Sequence, residues 1–146
     1  QCYFHGTGVT KDSKQALEWE IKAANLGDPE SLHSLGLYYR FGYLDIQQNI
    51  SKAIEYFSKA ISLGNSRAEI SFGELHERGE GMEQSFEKAV EYYKRAACKG
   101  NSLGQYFLAG CLQRGQGVEK NLDEAIYWLK KAADGGLDRA QFNLGQ

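Results

Sequence analysis

The chain has 146 residues, 42% of them hydrophobic and 25% charged, with a formal net charge of -2. That balance suits a water-soluble fold and offers neither a basic excess for nucleic acid or anionic lipid nor an acidic block. No apolar run approaches the length of about 18 residues that spans a membrane, and nothing at Gln1 reads as a signal peptide.

The first elements are the tail of a helix over Gln1 to His5, a turn at Gly6-Thr7-Gly8, and a helix that Asp12 caps and Gly27 ends. Pro29 stands where the next helix begins, and Ser31, Leu35, Gly36 and Tyr39 lie along it. Gly42-Tyr43-Leu44 turns the chain. This turn lacks a second glycine and carries one extra residue before Asn49, so it is expected to differ locally. Asn49 caps a helix through Ala53, Tyr56 and Ala60 to Gly64. A further helix over Ala68 to His76 breaks at Gly79-Glu80-Gly81. Ser85 then caps a helix that passes Ala89, Tyr92 and Ala96 and ends at Gly100. Gly104 and Ala109 lie on the next helix, and Gly115-Gln116-Gly117 turns it. Asn121 opens the last complete helix, through Ala125, Trp128 and Ala132 to Gly136, and Asp138 to Gln146 begins another.

One pattern recurs in this series. Ala16, Ala53, Ala89 and Ala125 stand 37, 36 and 36 residues apart. Trp19, Tyr56, Tyr92 and Trp128 follow each by three positions, Ala23, Ala60, Ala96 and Ala132 by seven, and Gly27, Gly64, Gly100 and Gly136 by eleven. A fixed period of this length marks stacked helical units. The units are 1–28, 29–65, 66–101, 102–137 and 138–146, one repeat domain cut at both ends. Gln1 opens the chain and Met82 is the only methionine, so more repeats or other domains are expected in the full-length product. The alanines, with Gly36, Gly73 and Ala109 on the first helices, permit close helix approach. The aromatics three positions on are expected to fill the space beside them.

Leu35-Gly36, Tyr39 and Gly42 belong to the same pattern. It continues with Gly115-Gln116-Gly117-Val118, Asn121, Glu124-Ala125, Trp128, Lys131-Ala132-Ala133 and Gly136. This series resembles the Sel-one-like repeat, a relative of the tetratricopeptide repeat, over essentially the whole chain. The resemblance implies an all-α fold, a right-handed superhelical solenoid of antiparallel helix pairs. It implies a protein–protein interaction scaffold or adaptor, since family members act so in membrane-protein quality control, bacterial host contact and signalling. The alternative is a regulatory or targeting segment of a larger protein, such as an enzyme. If first helices line the concave face as in tetratricopeptide arrays, a partner protein or peptide meets His33, Leu37, Arg40 and Phe41, then Arg67, Glu74, Glu77 and Arg78, then Tyr106, Gln113 and Arg114. Glu30, Ile70, Leu103 and Gly110 share those stripes. Arginines and aromatics are common binding anchors. The register of His33, Ile70 and Tyr106 is mostly apolar, so burial between neighbouring helices is the competing reading.

Little else points to chemistry. The paired glycines recur at one repeat register, which reads as a helix-to-helix turn and not as a phosphate loop. His5, His33 and His76 have no metal-ligand spacing. His76 takes the register of Tyr39, which suggests a packed ring. Cys2, Cys98 and Cys111 are an odd set, without the paired spacing that the resemblance associates with disulfide-stapled secreted members. Reduced structural thiols and a cytoplasmic location are expected. Asn49-Ile50-Ser51 is a glycosylation sequon, relevant only in the secretory pathway. No catalytic motif is visible, so the chain is expected to be no enzyme and to need no cofactor or metal.

Overall fold

The computed structural model describes residues 11–43 and 46–136, with side chains from residue 14 onward. The expectations for residues 1–10, Leu44 and residues 137–146 lie outside these, and α1 already includes Lys11, so Asp12 stands inside its first turn and not at the cap position expected of it. Seven helices are described: α1 (Lys11–Asn25), α2 (Pro29–Phe41), α3 (Ile50–Ser62), α4 (Ser66–Arg78), α5 (Phe86–Cys98), α6 (Ser102–Arg114) and α7 (Leu122–Asp134). No strand occurs among the described residues, so the fold is all-α. The chain divides into two compact units, Gln1–Ala68 and Glu69–Gln146.

The period is built into the helix ends. In α3 the Gly64 N–H donates to the Ile61 carbonyl at 2.8 Å and the Asn65 N–H to the Ala60 carbonyl at 3.1 Å. This pair of bonds needs a left-handed residue, and Gly64 has φ 86°. α1 closes the same way through Gly27 and Asp28, and α5 through Gly100 and Asn101. The residue after each glycine then starts the next helix. Asp28 Oδ2 accepts from the Ser31 N–H at 3.0 Å, Asn65 Oδ1 from Ala68 at 2.8 Å, and Asn101 Oδ1 from Gly104 at 3.0 Å. One polar residue thus serves as the stop of one helix and the cap of another.

The caps of α3, α5 and α7 are Asn49, Ser85 and Asn121, which accept from the Lys52, Lys88 and Glu124 amides at 3.1, 3.2 and 3.0 Å. Their own N–H groups reach back to Tyr39, His76 and Leu112 carbonyls at 2.8, 2.8 and 3.0 Å. That is ten positions back from Asn49 but nine from Ser85 and Asn121. The extra residue of the Gly42 turn is therefore absorbed inside the turn, and the helix register is kept.

Packing follows the alanines, with one correction. In the first unit Ala53, Phe57 and Ala60 are buried, and Gly36 of α2 lies against the Phe57 ring. A Cβ on Gly36 would stand 2.6 Å from Phe57 Cδ1. In the second unit Ala89, Tyr93 and Ala96 repeat the stripe, and a Cβ on Gly73 would stand 2.6 Å from Tyr93 Cε1. Ala125, Leu129 and Ala132 repeat it again. There the smaller Leu129 shares a core with Ala109, in place of an aromatic over glycine. So the filling residue lies four positions after the first alanine, not three. Trp19 is 70% exposed. Tyr56, Tyr92 and Trp128 are half-buried on the flank. Tyr56 stacks on Tyr39 at 5.5 Å and Tyr92 on His76 at 5.7 Å, so the histidine replaces a tyrosine in one repeated stack. In α1 the stripe is more open, with Ala16 exposed and Ala23 half-buried.

Candidate functional site

Within the second unit, α4 and α6 present the same helical stripe one repeat apart. Glu74, Glu77 and Arg78 come from α4, and Tyr106, Gly110, Gln113 and Arg114 from α6. They line a groove of about 420 Å³ whose floor is Tyr93 of α5, Phe107 of α6 and Leu129 of α7. Helical spacing explains the convergence: residues three, four and seven apart share a face.

The floor is apolar and tightly set. Tyr93 and Phe107 rings meet at 5.2 Å and Tyr106 meets Phe107 at 5.9 Å. The Tyr93 hydroxyl donates to Glu77 Oε1 at 2.7 Å. Burial and that carboxylate push the Tyr93 phenol well above its ordinary range, so it stays a donor. On the other wall the Arg114 Nε donates to Gln116 Oε1 at 2.9 Å. Arg78 pairs loosely with Glu80 at 3.9 Å. Cys111, buried behind the groove, has its thiol pushed up to about 11 by burial and by Glu77. Burial among the core side chains thus favours its protonated form.

Six of the sequence-predicted contact residues meet in this groove: Glu74, Glu77, Arg78, Tyr106, Gln113 and Arg114. Tyr93, Phe107 and Leu129 were not among them. Their signal was the position four after the repeat alanine for Tyr93 and Leu129, whereas Phe107 carried none beyond its place beside Tyr106.

The remaining candidates belong to the first unit. His33 is buried and tilted against Phe57 at 5.7 Å. Burial lowers its pKa, against the pull of Glu30. Ile70, at the same register in the second unit, is buried too. Arg40 is only 2% exposed, with its guanidinium 4.8 Å from the Phe41 ring. It is thus a packed residue here, where the sequence suggested a fork open to a partner. Phe41 is exposed, and Leu37 half-buried. Arg67 is held at 3.5 Å by Glu30, whose other oxygen accepts from Asn65 Nδ2 at 3.1 Å. That pair joins helix starts, and both of its side chains are largely exposed, so Arg67 stays on the surface.

No group of three or more His, Cys, Asp or Glu among the described residues could hold a metal ion. Cys98 and Cys111 are free thiols, the first exposed and the second buried. None of the described helices is long and apolar enough to cross a membrane.

Paired helices of one repeated length, close-packed by alanine and glycine, with a shallow groove along alternate helices, define a helical-repeat protein of the interaction type. The Sel1 repeat model matches residues 1–28, 29–65, 67–101 and 102–137, and the chain belongs to that family. Sel1 repeats mediate protein–protein interactions, and Sel1-repeat proteins are typically non-catalytic scaffolds. A Sel1 repeat protein from Oxalobacter formigenes is 34% identical, with a TM-score of 0.84, over 96% of this chain and 57% of that one. A protective antigen of uropathogenic Escherichia coli, with an SLR fold, is 36% identical at a TM-score of 0.81, over 91% and 28%. Helicobacter pylori cysteine rich protein B is 28% identical at a TM-score of 0.71, over 92% and 96%. The ERAD-associated E3 ubiquitin-protein ligase component HRD3A of Arabidopsis thaliana is 31% identical over 74 residues. The match takes in 51% of this chain and 10% of HRD3A, so it spans about a tenth of that relative's length.

Proposed function

We propose that this chain is a non-catalytic adaptor module that docks a segment of a partner protein on its first helices, in the groove between α4 and α6. The observation that carries this reading is the groove itself. Glu77 and Arg114 on its walls are each oriented by a neighbour, over a floor of Tyr93, Phe107 and Leu129. Preset polar walls over an apolar floor reduce the ordering cost of binding. Volume supports a short stretch of chain and argues against a whole domain inserting, since about 420 Å³ lies low in the range of small-ligand sites. The exposed Phe41 of the first unit offers a separate apolar anchor. The ubiquitin-ligase component among the relatives favours a place within a larger assembly, which keeps the targeting-segment reading as the second one. A cytoplasmic location is proposed on cysteine usage alone.

The test is capture of partners from the source lysate by the chain and by a Tyr106→Ala, Arg114→Ala variant whose helix content is checked by circular dichroism. A partner lost only by the folded variant supports the groove. A partner held equally by both moves the docking face elsewhere.

A further inference from the structure

Opposite charges that share a groove ordinarily collapse into an ion pair. Glu77 and Arg114 line the same groove, and no ion pair joins them among the described interactions. Each is fastened to its own wall. Glu77 Oε1 is held by the Tyr93 hydroxyl at 2.7 Å, and no described bond reaches its Oε2. Arg114 is held through Nε by Gln116 at 2.9 Å, and no described bond reaches its Nη atoms. Gly110 leaves room for that guanidinium along the α6 wall, since a Cβ there would stand 3.1 Å from Arg114 Nη1. Glu77 raises the Cys111 pKa and Arg114 lowers it, as their signs require, so both charges lie near that thiol.

We propose that this split pair reads a partner segment carrying one basic and one acidic side chain on the same face, two residues apart in an extended chain. The basic group meets Glu77 and the acidic group meets Arg114. Side chains at i and i+2 of an extended segment point the same way and stand about 7 Å apart, so one face of the segment can address both walls of the groove. The spare Oε2 accepts from a Lys or Arg, and the spare Nη pair donates to a carboxylate in fork geometry. A segment with two like charges puts one of them against its own sign. The selection is therefore for mixed charge at i and i+2, with no demand on net charge. This inference rests on the groove being the docking site.

The experiment titrates the whole chain with a fluorescein-labelled, end-blocked peptide Gly-Lys-Leu-Glu-Gly and two relatives, one with norleucine for Lys and one with Gln for Glu. Each neutral change is expected to weaken binding about tenfold. Glu77→Gln, which keeps an acceptor for Tyr93, is expected to erase the penalty of the lysine change alone. Arg114→Gln is expected to erase that of the glutamate change alone, with Arg114→Lys as its folded control. Equal binding of all three peptides overturns the charge reading and leaves the docking site standing. No saturation by the mixed-charge peptide up to about 1 mM overturns it too. In that case the Tyr106→Ala, Arg114→Ala capture result decides separately whether the groove docks anything.

Discussion

The hydroxyl of Tyr93 donates to Oε1 of Glu77 at 2.7 Å, and this bond ties the packing core to the groove wall. The ring of the same tyrosine occupies the space over Gly73. Core and site are therefore set by one side chain. Tyr93→Phe separates the two roles, because the ring is kept and the donor removed. A hydrogen bond from a buried phenol to a carboxylate contributes about 1–2 kcal/mol. Urea unfolding is expected to show a loss of that size with the helical spectrum unchanged. No loss would mean that water replaces the hydroxyl at Glu77 without cost.

The glycine–aromatic contact of the first unit makes a second prediction. Gly36→Ala puts a methyl group into the Phe57 ring and is expected to cost about 1–3 kcal/mol by overpacking. Phe57→Leu alone leaves a gap and is expected to cost about 1–2 kcal/mol. The double variant rebuilds the pairing that the chain already uses at Ala109 and Leu129. It is expected to lose less than the sum of the two. Equilibrium unfolding of the four proteins gives the coupling directly. Simple additivity would show that the two positions relax independently.

These contacts also mark where the sequence was legible. The caps Asn49, Ser85 and Asn121 were readable because each precedes an apolar period. Asp28, Asn65 and Asn101 were not, because each directly follows a helix-ending glycine and reads as the end of a unit. The aromatics could not be ranked by periodicity. At 100° per residue, positions three and four after the repeat alanine flank the alanine stripe by about 50° on opposite sides. Only the partner helix decides which side is buried, and it favours Phe57, Tyr93 and Leu129. The groove residues of α4 and α6 were countable from their register. Arg40 was not recognised as buried, because burial of a long charged side chain depends on neighbours that a single helix does not reveal.

The two described thiols differ enough to be distinguished by chemistry. Cys98 is exposed at the end of α5, while Cys111 is buried with its pKa pushed up to about 11. Thiolate is the reactive form, so both access and ionisation protect Cys111. Maleimide labelling of the native protein near pH 7, read by peptide mass, is expected to modify Cys98 quickly and Cys111 only after urea is added. Equal rates at the two sites would show that α6 opens readily from its neighbours.

His76 gives the chain a pH dependence with a definite sign. It is buried, stacked on Tyr92, and its Nδ1 has no hydrogen-bond partner among the described residues. Burial, then Lys88, lowers its pKa from 6.5, and Glu91 opposes this only in part. His33 is lowered as well, again chiefly by burial. A lowered folded pKa means that the unfolded chain binds more protons between the two values. The stabilisation is therefore full above about pH 6.5 and is lost as pH falls toward the folded pKa. His76→Tyr tests the assignment, because Tyr39 already fills that register against Tyr56. Urea midpoints measured between about pH 7.5 and 5.5 are expected to fall less steeply in the variant, with His33 supplying part of the slope that remains. An unchanged slope would remove His76 from the account and leave the acid sensitivity to His33.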